Sequence, residues 1–230
     1  MDRRFFMTAA TGSALAATGS LFVPRQPAAA QDRRQPESRF DMVREWEIGP
    51  VIRGRNYSQG MPPHPFAVRG GWFFEFPGPT ARDGHVHYLT TSANGLGGAR
   101  GLRMRYRIDA APGARFIPQE NPREPATLSL YVQRDGDDWS GRGDRAAARW
   151  YSPDPAMQRL EPGEHEVRVM FDEDWKGVMG QSSHRASRQF ADTLARAGRM
   201  GFTLGSAHGR GHGVFSTAPA RMLVRDFSVI

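Results

Sequence analysis

The sequence predicts an all-β chain folded as a two-sheet jelly-roll β-sandwich with one short helix near residues 186–197. Three observations carry this expectation. Gly and Pro, 26 and 17 of the 230 residues, punctuate short apolar runs at fairly regular intervals, the pattern of strands joined by turns. Leu102–Ile108 alternates strictly, placing Leu102, Met104, Tyr106 and Ile108 on one face and Arg103, Arg105 and Arg107 on the other. Strand–helix–strand units, P-loops and Gly-rich nucleotide loops are missing, and no internal repeat is visible.

Taken in order, strands are expected at Glu47–Ile52, Trp72–Phe76, His85–Thr91, Leu102–Asp109, Thr127–Arg134, Ala147–Tyr151, His165–Phe171, Met200–Gly205 and Met222–Val229. Alternation recurs at Leu128, Leu130 and Val132, and again at His165, Val167, Val169 and Phe171. Trp72, Phe73, Phe74 and Phe76 read as core. Ala186–Ala197 places Phe190, Leu194 and Ala197 on one helical face, with Gly198 positioned to end the helix.

Residues 1–30 have the three parts of a signal peptide: Arg3 and Arg4, an uncharged stretch Met7–Val23, and Ala28-Ala29-Ala30 before Gln31. Asp2-Arg3-Arg4-Phe5-Phe6-Met7 resembles the twin-arginine translocation signal, which implies export of a folded protein to the periplasm or beyond. Gly, Ser and Thr dilute the uncharged stretch below the roughly 20 apolar residues a span needs, so no stable membrane span is expected after cleavage. Residues 31–44 read as a flexible lead-in and residues 45–230 as a single β-sandwich domain.

The chain has no Cys, which excludes a disulfide scaffold, iron–sulfur clusters, c-type haem and Cys-ligated zinc; any metal would need His and carboxylate ligands. All but one of the 31 basic residues are Arg, the exception being Lys176. The formal charge of +7 falls to +5 once Arg3, Arg4, Arg25 and Asp2 leave with the signal. The Arg residues are interleaved with acids, unlike the basic stripe of a nucleic-acid binder, so no nucleic-acid partner is expected.

One run carries a family resemblance. It comprises the strand His165–Phe171, the loop Trp175-Lys176-Gly177-Val178, the helical segment around Phe190 and Leu194, the strand Met200–Leu204 and the terminal strand Ala220–Val229. From about Trp72 onward the chain resembles the galactose-binding-like jelly rolls that include many carbohydrate-binding modules. That resemblance implies a sugar-binding sandwich, but it transfers no ligand residue, because ligand positions in these folds are not fixed in sequence.

Four constellations are candidates for chemistry. In the first, Tyr131–Asp144 leads into Arg149-Trp150-Tyr151, and Trp139 with Asp137, Asp138 and Trp150 suits sugar recognition: indole faces pack on pyranose C–H groups while carboxylates bond the hydroxyls. The same loop's Asp135, Asp137 and Asp138 could hold Ca²⁺, although their spacing is not that of an EF-hand. In the second, His85 and His87 share a strand face as a zinc pair would, while His208 and His212 lie in the glycine-rich run Gly205–Gly213, with Arg210 between them. In the third, Arg103, Arg105 and Arg107 would bind an anionic ligand if they lined a concave face, or would simply cover the sheet if they faced outward. In the fourth, Glu161, Glu164 and Glu166, with Asp172, Glu173 and Asp174, offer carboxylates without showing opposition across a groove.

Three function classes follow. The leading expectation is an exported non-catalytic protein that binds a carbohydrate or similar polar ligand. The alternatives are a polysaccharide-active hydrolase or lyase, or a His-metal hydrolase, and a structural or accessory envelope protein.

Overall fold

The computed structural model describes residues 43–79 and 86–230. The signal peptide and nearly all of the lead-in expected before them lie outside these residues, as does His85. The described residues form a β-sandwich of two large antiparallel sheets, with two two-stranded sheets beside them and one α-helix of more than two turns.

The larger sheet has seven strands. In spatial order they are β1 (Glu47–Gly49), β4 (His87–Ser92), β10 (Ala197–Gly205), β6 (Thr127–Arg134), β7 (Arg149–Tyr151) and β9 (Lys176–Gly177), and Gln158–Arg159 also pairs with β6. The smaller sheet runs β8 (Gly163–Met170), β5 (Gly101–Ala110), β11 (Ala220–Val229), β3 (Gly71–Glu75) and β2 (Phe66–Val68). Along β3, β4, β5 and β6 the chain passes from one sheet to the other at each step, which is how a jelly roll closes two sheets over one core.

Alternation decides what each strand buries. On β5, Leu102, Met104, Tyr106 and Ile108 are almost fully buried, whereas Arg105 and Arg107 are exposed. They meet Val167 and Val169 of β8, Met222 and Val224 of β11, and Trp72 and Phe74 of β3 in one apolar cluster. From the opposing sheet come Ile48, Leu89, Phe202 and Leu204, together with Leu128, Leu130 and Val132. Phe73 departs from the expected core: it is half-buried and sits 5.5 Å from Phe66 of the neighbouring strand.

The helix α1 (Ser187–Ala195) packs one end of this core. Its Phe190 ring lies 4.9 Å from Trp150 and 5.7 Å from Trp175, and its Thr193 hydroxyl donates to the Ala147 carbonyl at 2.7 Å. Gly198 does not end the helix. The helix stops at Ala195, and Gly198 sits within β10 at a register irregularity between Ala197 and Arg199. A Cβ at Gly198 would lie 3.0 Å from the Asp135 backbone, so the glycine sits where the 135 loop approaches closely and not at a helix cap.

Candidate functional site

In a two-sheet sandwich the outward side chains of each sheet normally face water. The larger sheet departs from this. Strand β6 is buried on both faces from Thr127 to Gln133: Leu128, Leu130 and Val132 point to the core, and Ser129, Tyr131 and Gln133 point away from it. On the same outward face lie Tyr88 of β4 and Tyr151 of β7, both also buried. Loops from three parts of the chain cover this face, and between them lies a cavity of about 820 Å³.

The floor is aromatic. Tyr88 meets Tyr131 edge-on at 5.0 Å, Tyr131 lies 5.3 Å from Tyr151, and the Tyr88 and Tyr151 hydroxyls share a 2.7 Å hydrogen bond. Burial pushes the Tyr88 and Tyr131 hydroxyls well above the usual tyrosine range and raises Tyr151 as well, so all three are neutral donors at ordinary pH. Among the described residues the buried Tyr131 hydroxyl has no hydrogen-bond partner, nor do those of Ser129 and Thr203, which sit directly opposite each other on β6 and β10.

One wall is the loop after β6. Trp139 stands edge-on to Tyr88, at 5.0 Å and 90°, and carries the Arg149 guanidinium over its own ring at 4.8 Å. Asp137 fixes this stack. Its fully buried carboxylate pairs with Arg149 Nε at 3.1 Å and accepts from Gln133 Nε2 at 2.9 Å and from the Trp139 backbone N–H at 3.2 Å. Arg149 in turn donates to the Trp139 carbonyl. Trp139 is held at φ 66°, in the left-handed region that a bulky residue adopts at a cost of about 1–3 kcal/mol. The bonds of the Trp139 backbone to Asp137 and Arg149, themselves a buried ion pair, hold the residue in that state.

The opposite wall is the glycine-rich run. Its Arg210, with a side chain 8% exposed, donates to the Ser152 carbonyl, pairs with Asp154, and lies 5.9 Å over the Tyr151 ring. Gly211, at φ +77°, allows the loop to lie against Tyr88, since a Cβ there would come within 2.5 Å of that ring. His208 pairs with Glu124 at 2.7 Å and His212 with Glu120 at 2.6 Å, which ties the loop to the segment before β6. Lys176 and Val178 also line the cavity, as do Pro50, Ile52, Tyr57 and Val86. A second depression of about 480 Å³ adjoins the first along the same sheet face and shares Pro50, Tyr88 and Trp139 with it.

The structure brings together some of the residues expected from sequence and separates others. Trp139, His208 and His212 line one cavity, and Asp137 lies behind Trp139. Asp138 points to the surface, where it pairs with Arg145 at 3.4 Å, and Asp135 is exposed at the start of the loop. With Asp137 bound to Arg149 and Gln133, the three do not converge, and no cluster of three or more His, Asp or Glu side chains occurs among the described residues. Trp150 alternates to the inner face, where it is fully buried against α1 with its indole N–H on the Ala147 carbonyl. His87 is fully buried, and its Nδ1 accepts from the Val214 backbone N–H at 3.1 Å.

Arg103, Arg105 and Arg107 lie on the outward face of the smaller sheet. Asp226 pairs with Arg103 at 3.0 Å and Arg105 at 3.9 Å, and Asp109 pairs with Arg107 at 2.6 Å. Arg105 lines a separate depression with His165 and Arg225. Sequence reasoning passed over Tyr88 and Lys176 as site residues, and named Tyr151 only as the end of the Arg149–Tyr151 run. The available signal was a strand whose outward positions, Ser129, Tyr131 and Gln133, are bulky or hydrogen-bonding without being charged.

No protein-family model, curated protein or solved structure matches the chain.

Proposed function

We propose that the chain is an exported, non-catalytic binding protein that seats a carbohydrate on the outward face of its larger sheet. The observation that carries this reading is Trp139, set in a left-handed backbone conformation and braced by a buried Asp137–Arg149 pair at the junction of two adjoining depressions. Aromatic faces matched to sugar C–H groups, beside polar groups matched to hydroxyls, are what such a ligand requires. The two depressions together suit an extended ligand better than a single ring.

Binding is favoured over hydrolysis by the carboxylates. Glycosidic hydrolysis uses two carboxyl groups flanking the bond; Asp154 is the one carboxylate among the described residues lining the main cavity, and in the adjoining depression Asp137 and Glu47, beside Asp135, are tied to Arg149 and Arg199. A glycan array probed with the wild-type chain and the Trp139→Ala variant tests the proposal. The variant is expected to lose about tenfold in apparent affinity, the worth of one stacked aromatic surface. Equal binding by both proteins, or release of reducing ends from the bound glycan, would contradict it.

A further inference from the structure

We infer that the ligand of this cavity is an acidic glycan, one that carries carboxylate or sulfate groups. This rests on the carbohydrate reading and names the class within it. Basic side chains reach the lining from three separate stretches: Arg149 on β7, Lys176 on β9, and His208, Arg210 and His212 on the glycine-rich loop. One carboxylate, Asp154, lines the cavity with them.

The other acids that pair with these basic groups stand outside the lining of the main cavity, while Glu47, Asp135 and Asp137 border the adjoining depression. Asp137 is fully buried beside Arg149, Asp174 pairs with Lys176 at 2.7 Å, and Glu124 and Glu120 hold His208 and His212. Each of these pairs therefore presents its basic member to the cavity and keeps its acid away from it. Toward the space a ligand would occupy the wall therefore turns guanidinium and ammonium donors, with Asp154 as the one carboxylate among them.

The donors also suit an anion. A guanidinium offers five N–H groups in a planar fork, and Arg210 places two of its nitrogens on Ser152 and Asp154. Hydrogen bonds from an ionised donor are roughly twice as strong as neutral ones, and an ionised ligand adds direct charge attraction to them. The chain's single lysine stands in this wall, although Arg fills every other basic position.

The test is affinity electrophoresis of the full chain in native gels containing polygalacturonate, dextran sulfate, or one of the neutral polymers dextran, xylan and galactan. The variants Lys176→Gln and Arg188→Gln remove the same charge, one from the cavity wall and one from the exposed side of α1. Retardation by an acidic polymer and not by a neutral one is expected, with polygalacturonate alone identifying carboxylate and dextran sulfate alone identifying sulfate. Lys176→Gln should weaken retardation about tenfold, the loss of one charge-assisted hydrogen bond, while Arg188→Gln leaves it unchanged and Lys176→Arg restores it. Equal weakening by Lys176→Gln and Arg188→Gln would reduce the effect to general surface charge and overturn the inference. Retardation by neutral polymers alone would overturn the acidic assignment while leaving the carbohydrate reading intact, and retardation in none of the gels would remove both.

Discussion

Asp137 shows how one carboxylate can hold a recognition surface together. Its side chain is fully buried, and its bonds to Arg149, Gln133 and the Trp139 backbone leave the Trp139 ring clamped against a guanidinium. Removing the acid would strand a buried positive charge, so Asp137→Ala is expected to lose about 3–5 kcal/mol of stability in denaturant unfolding. An effect within about 0.5 kcal/mol, as for an ordinary surface substitution, would show that the pair does not brace the loop. The tyrosines make a second prediction. Tyr88, Tyr131, Tyr151 and Tyr106, four of the five in the chain, have hydroxyls raised above the ordinary value by burial. Because the folded state favours their neutral form, that stability is fully present below the unfolded value near pH 10 and is lost as pH rises above it. Spectrophotometric titration of the folded chain should therefore show far less tyrosinate at pH 11 than titration in denaturant. Matching curves would contradict the buried floor.

Strands were the most legible elements. Alternation such as that of Leu102–Ile108 reports a half-buried strand directly, and each long strand lies within a few residues of its expected place. Short pairings, such as Phe116–Pro118 with Val214–Ser216, carry too few residues to show a period. Gly198 was misleading because a glycine at a close approach of two backbone segments looks, in sequence, like one at a helix cap. The glycine-rich run Gly205–Gly213 reads locally as a flexible connection, yet Arg210, the two His–Glu pairs and the close seating of Gly211 on Tyr88 make it a fixed wall. Gly211→Ala combines a left-handed backbone with a 2.5 Å clash. It is expected to destabilise the fold by about 1–3 kcal/mol and to weaken glycan binding by moving Arg210. Unchanged melting and binding would mean that the loop is not seated as described.

At the scale of the whole molecule, the two sheets differ in what covers their outward faces. The smaller sheet carries Arg105 and Arg107 exposed, as alternation on β5 led one to expect. The larger sheet carries tyrosines and hydroxyls that are buried, because the loops around Trp139, Val178 and Arg210 close over them. That difference was not legible in sequence. Local patterning tells which residues share a face, but which face is roofed depends on loops far apart in the chain, such as the one at Trp139 and the one at Arg210. Trp139 itself was legible as an exception, a large aromatic among Asp, Gly and Ser, while Trp150 was misjudged because it follows Arg149 by one position and so points to the opposite side of β7.

The chain has five tryptophans, and four of them, Trp46, Trp72, Trp150 and Trp175, belong to the core cluster, leaving Trp139 alone at the cavity. The most direct test of that site is a nitrogen–proton correlation spectrum, read at the indole and the arginine Nε–H resonances, recorded while a glycan fragment is titrated. The Trp139 signal should shift progressively while the four core indoles hold their positions. A still Trp139, with shifts gathered instead on Arg103, Arg105 and Arg107, would place the ligand on the other sheet and contradict the account.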